Sequence, residues 1–169
     1  MSLRRRVLVS FAIALVCGLL SYGTLRQRGR LASDFQFPLT AARALLAGHN
    51  PYEIMAQQHG SYPFDSGFFY PLPAALVAIP FCWLDPYVAG ALFFGLSSGL
   101  LAFGLCRDGW HRFHIFLSAP FYISASTAQW GPLLIGAAFL SWPAYAILAS
   151  PPSVLCPFCT GPHGADCWL

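Results

Sequence analysis

Long apolar runs separated by short polar punctuations make up most of this chain. Val7 to Leu25 (VLVSFAIALVCGLLSYGTL) is uncharged and close to the ~20 residues that cross a bilayer as a helix. A second run, 68–84 (FFYPLPAALVAIPFCWL), holds three prolines, which predict bending or a half-unwound start. Asp85-Pro86 punctuates the chain, and 87–106 predicts the next helix. After the polar stretch RDGWHRFH (107–114), the apolar residues Ile115 to Ala149 are too long for one crossing and break at Gln129-Trp-Gly-Pro132. The pattern therefore predicts an all-α membrane protein with four or five transmembrane helices, near 7–25, 68–84, 87–106, 113–128 and 131–149. Pro120 and Pro143 are the expected kinks.

The segment 26–67 is polar by comparison and is expected to form a loop on the far side of the first crossing. Ala41 to Ala47 are good helix formers, Gly48 suits a left-handed exit, and Asn50-Pro51 forbids continuation. Ser33 or Asp34, or later Thr40, would cap such a helix through a side-chain oxygen. Phe35, Leu39, Ala42 and Leu46 recur at helical spacing, so the helix is expected to lie on the membrane surface with that stripe down. Asp34 would then sit at the lipid–water boundary.

Charge sharpens the picture. The 169 residues are 57% hydrophobic and 9% charged, against about 25% charged in soluble domains. From Phe113 to Ala165 there is no Asp, Glu, Lys or Arg. Arg4, Arg5 and Arg6 precede the first apolar run as in an uncleaved signal anchor, which puts the amino terminus in the cytoplasm. Counting crossings places Arg107 and Arg112 beside the loop arginines 26, 28, 30 and 43, against the positive-inside rule; either one run is re-entrant or loop function outweighs the bias. A net charge of +3, unclustered with stacking aromatics, argues against nucleic acid as a partner. Cys17, Cys82 and Cys106 lie in apolar runs as small hydrophobes, and Gly95-Leu-Ser-Ser-Gly99 predicts close helix packing inside the chain. His59, His111 and His114 read as ordinary loop or interfacial residues.

Asp34 has two readings. One is an N-cap, worth about 1 kcal/mol; the other is a general base that receives substrates from both water and lipid. Spacing alone favours the cap.

Taken in order, "SDFQFPLTAARALLAGHNPYE", "FFYPLPAALVAIPFCWL" and "FLSAPFYISASTAQWGPLL" resemble the amino-terminal part of glycosyltransferase family 87, multi-span enzymes of the GT-C type. The shared pattern is an Asp-Phe after the first span, a G-x-N-P-Y stop, a Phe-x-Tyr-Pro entry to the second span and a later Gln. The resemblance covers Ser33 to about Ala149. It implies a partial GT-C fold in the plasma membrane, with Asp34 as the catalytic base and no cofactor. It implies a polyprenyl-phosphate sugar, with mannose the expected hexose, as donor and a lipid or glycan hydroxyl as acceptor, with inversion in one displacement. Arg43 or His49 would neutralise the donor phosphate. Tyr52 either meets the sugar or, with Asn50 and Pro51, shapes the loop; Gln129 either lines the cavity or joins helices. The family usually has Gly where this chain has Ala128.

The tail 150–169 (SPPSVLCPFCTGPHGADCWL) changes composition abruptly. Cys156, Cys159, His163 and Cys167 have a spacing close to a zinc knuckle. The competing and preferred reading is an aberrant, frameshift-like end with no metal site. Members of the family are typically much longer, so weak or absent turnover is expected of these residues alone. A non-catalytic membrane protein is the alternative.

Overall fold

The computed structural model describes residues 2–57, 70–106 and 110–140. Among them every regular element is helical: α1 Leu3–Arg28, α2 Ser33–Leu46, α3 Pro51–Gln57, α4 Leu72–Ala78, α5 Pro86–Leu105, α6 Ala119–Thr127 and α7 Gly131–Leu140. Short 3-10 segments at Ile79–Phe81 and Trp110–Leu117 join them. At 1.5 Å per residue, α1 is about 39 Å long and α5 about 30 Å. Both are long and apolar enough to cross a membrane, and among the described residues no other helix is.

Two other runs expected from hydropathy to cross, 68–84 and 113–128, are broken into short helices among the described residues. The run 68–84 yields seven residues of α4 and three of 3-10 helix. Its prolines explain this: Pro71 is extended, Pro73 sits in the first turn, and Pro80 falls where the α-helix tightens. The run 113–128 splits at Ser118, whose hydroxyl accepts the amide of Phe121 and starts a nine-residue α6. Pro120 belongs to that first turn and kinks nothing. Pro143 and the end of the 131–149 run lie outside the described residues, as does His59.

α1 and α5 meet along a seam of small residues. A methyl group on Gly95 would stand 2.7 Å from the Ala14 carbonyl oxygen and 3.1 Å from Cα of Gly18. One on Gly99 would lie 2.8 Å from Cβ of Ala14. The Gly95–Gly99 pair thus serves packing within the chain, as its spacing predicts. α7 covers another side of α5, where Gly136 presses on the backbone at Leu100 and Leu101. Arg6 pins the far end: its guanidinium donates to Phe103 O at 3.0 Å and lies 4.1 Å from that ring's centre. Ser21 donates to Ala125 O at 2.7 Å and ties α6 to α1.

α2 lies inside this frame, not on a membrane surface. Phe35, Leu39 and Ala42 are essentially inaccessible, and of the expected stripe only Leu46 faces outward, 53% exposed. Phe35 stacks on Phe93 of α5 at 4.2 Å and meets Phe81 edge-on at 5.5 Å. The stripe is consumed by α5 and the α4 turn, so α2 is a core element. Its end follows expectation: Gly48 has φ +74°, and Asn50 accepts the Tyr52 amide at 3.1 Å to begin α3 at Pro51.

Candidate functional site

Asp34 stands one residue inside α2. The residue before the helix, Ala32, is extended and no side chain bonds the exposed amides. Neither Ser33 nor Asp34 caps the helix, and α2 begins well before Thr40. The Asp34 carboxylate is therefore left for other contacts. The Ser33 hydroxyl donates to it over a long 3.5 Å.

Pro38 shapes the surroundings. It lies within α2 and lacks the N–H that would bond the carbonyl four residues back, which is that of Asp34. A buried carbonyl needs a donor, and the Trp130 indole supplies it, Nε1 to Asp34 O at 3.4 Å. The orphaned carbonyl thus anchors the α6–α7 loop, 96 residues away, beside the carboxylate. Trp130 in turn packs 4.9 Å from Phe93 and 6.0 Å from Tyr70, and Phe37 lies 6.2 Å from Tyr70. An aromatic floor runs beneath the acid.

The same loop turns sharply at Ala128, which is left-handed at φ +51° and fully buried. A Cβ in that region costs about 1 kcal/mol, so the position is one that favours glycine. The turn places the Thr127 hydroxyl near Asp34. That hydroxyl is enclosed and makes no hydrogen bond of good geometry, yet lies close enough to lower the proton affinity of the acid.

Burial dominates the electrostatics. It pushes the Asp34 carboxyl above the ordinary range, and Ser33 and Thr127 offset part of that shift. Burial, then the Asp34 charge, pushes the Tyr70 hydroxyl up to about 12. A carboxylate that holds protons more tightly than usual is a stronger base. Tyr70 and Trp130 also wall a cavity of about 80 Å³ with Pro71, Pro73, Ala74 and Leu134. Sites for drug-sized ligands run from roughly 300 Å³ upward, so this cavity holds part of a substrate at most.

The other expected site residues lie elsewhere, with one exception. Arg43 is nine positions along α2, about 13 Å away by helical rise. Its guanidinium donates to Cys82 O at 3.1 Å and Leu84 O at 3.0 Å, which fixes the turn between α4 and α5. His49 is exposed beyond the end of α2, and Tyr52 is exposed on α3. Gln129 does belong to the loop that meets Asp34, but its side-chain oxygen accepts the Ser124 hydroxyl at 2.8 Å within that turn. The structure brings Asp34 together with Tyr70, Thr127 and Trp130. Pro38 was the sequence signal for Trp130, since it orphans one identifiable carbonyl; Thr127 had none.

Cys156, Cys159, His163 and Cys167 lie outside the described residues, and among those described no three His, Cys, Asp or Glu side chains gather as metal ligands would. No family model, curated protein or solved structure matches this chain.

Proposed function

We propose that this chain is part of a membrane-embedded glycosyltransferase of the GT-C type, with Asp34 as its general base. In this reading α1 and α5 are two of four or five spans, the amino terminus is cytoplasmic, and the Asp34 end of α2 faces the far side. The donor is a hexose, mannose by resemblance, on a polyprenyl phosphate. Asp34 takes the proton of a lipid or glycan acceptor hydroxyl as its oxygen attacks the anomeric carbon. The bond from that carbon to the phosphate oxygen breaks, polyprenyl phosphate leaves with the electron pair, and the centre inverts. The leaving group is already a stable anion, so the scheme needs one carboxylate and no acid.

One observation carries the reading. Asp34 is half enclosed, caps nothing, and sits where α2, the Tyr70 segment and the Thr127–Trp130 loop converge. An enclosed acid shifted by burial, with no capping role, is a candidate functional group. Arg43 is committed to backbone carbonyls, so the donor phosphate takes its positive charge from elsewhere. The test uses membranes that carry the chain, a radiolabelled polyprenyl-phosphate mannose and a soluble acceptor alcohol. Slow transfer above control membranes, lost in Asp34→Asn, is expected. Transfer that survives the substitution would sink the reading.

A further inference from the structure

We propose that the outward groove between α1 and α5 holds one acyl chain of an anionic glycerophospholipid, with the lipid phosphate resting on Arg26. The inference goes beyond sugar transfer and rests on the reading of α1 and α5 as membrane-crossing helices. The groove encloses about 300 Å³. Phe11, Leu15 and Leu19 form one wall and Leu92 and Leu96 the other; Gly18 and Gly95 keep its floor low.

Its length fits a leaflet. From Phe11 to Tyr22 the rise along α1 is about 16 Å, close to the roughly 15 Å of hydrocarbon in half a bilayer. Arg26 follows one helical turn beyond Tyr22, at the depth of headgroups. Its guanidinium lies 5.8 Å from the Tyr22 ring centre and 5.2 Å from that of Tyr87, while the residue stays exposed. Two tyrosines at one level form the girdle expected at a membrane–water boundary. Asp85, two positions before Tyr87, is occupied, for its carboxylate accepts the amides of Tyr87 and Val88. Among the described residues no carboxylate pairs with Arg26. An exposed arginine beside two tyrosine rings, with no carboxylate partner among the described residues, suits a phosphate. A second copy in the groove fits less well, because a parallel two-fold pair would bring another Arg26 to the same level.

The full chain is reconstituted in phosphatidylcholine vesicles with a trace of photoactivatable phosphatidylglycerol or, separately, phosphatidylcholine with the same chains. Cross-linked peptides are then mapped by mass spectrometry. Phosphatidylglycerol should label 11–22 and 88–96 about fivefold more than phosphatidylcholine, the ratio one near-surface arginine gives an anionic lipid. Arg26→Gln should reduce it to the phosphatidylcholine level. Gly18→Leu should lower both, because its Cβ meets Ala91 O at an ordinary 3.4 Å and the rest of the side chain fills the groove. Equal labelling by the two lipids, or labelling unchanged by Arg26→Gln, would overturn the proposal. So would displacement by trace polyprenyl phosphate, which would assign the groove to the donor. A photo-cross-linker at Leu92 that joins two chains would assign it to a second copy and equally overturn the proposal. Release of the protein by alkaline carbonate would overturn the membrane reading as well, which separates that failure from this one.

Discussion

The two ends of α2 carry opposite charges under opposite conditions. At the carboxyl end, Arg43 bonds two carbonyls of the turn between α4 and α5 at 3.0 and 3.1 Å. At the amino end, Asp34 has one long bond to Ser33, an ill-aligned neighbour in Thr127 and burial that favours its protonated form. A charge saturated by backbone fixes a shape. A charge enclosed but underbonded is left for a reactant. On the proposed reading, the same helix has a structural end and a chemical end.

Asp34→Asn should break the comparison most visibly if it is mistaken. Transfer should fall by roughly 10²–10⁴-fold, the usual weight of a general base, while the thermal unfolding midpoint scarcely moves, because the carboxylate caps nothing. A large drop in that midpoint would make the acid a structural residue like Arg43. Arg43→Gln should act the other way, lowering stability by about 2 kcal/mol for its lost charge-assisted bonds. Denaturant unfolding followed by circular dichroism would measure this, and an unchanged midpoint would remove the contrast.

Trp130→Phe probes the link between Pro38 and Asp34. Loss of the indole donor should cost about 1 kcal/mol. In a Pro38→Ala background the restored backbone N–H satisfies the Asp34 carbonyl, so the same change should cost clearly less; strict additivity of the two would refute the orphan-carbonyl account. A further effect lies in the pH response. Burial and the Asp34 charge push the folded Tyr70 hydroxyl up to about 12, against an ordinary value of about 10. Its stabilising contribution is complete below pH 10 and is lost as pH rises through 12, because the unfolded chain ionises first. Asp34→Asn should lower the Tyr70 value without restoring it fully, since burial is the larger cause; tyrosinate absorbance, with Tyr70→Phe as reference, would follow it.

Much of this was legible along the chain. The uncharged run 87–106 became α5, Gly48 and Asn50-Pro51 ended one helix and began another, and Gly95–Gly99 found its partner in α1. These depend on local chemistry or on one periodicity. Hydropathy did not foresee the helix breaks where proline intervened, because apolar composition says nothing about whether backbone bonds can continue. The Phe35–Leu39–Ala42 stripe was correctly apolar, but its partner was Phe93 and the α4 turn, not lipid. The floor of the site depended on contacts between residues far apart in sequence. Tyr70, Thr127 and Trp130 carry no spacing that relates them to Asp34.

The α1–α5 seam has a consequence for biogenesis in the membrane reading. Acyl chains replace one another without a hydrophobic penalty, so the two helices cohere through fit and dispersion alone. On leaving the ribosome, α1 would present Ser10 to lipid until α5 has been synthesised, and Ser21 until α6 has followed. A newborn intermediate of that kind is a natural client for insertion chaperones, and its lifetime is set by translation through the polar segment between the two helices.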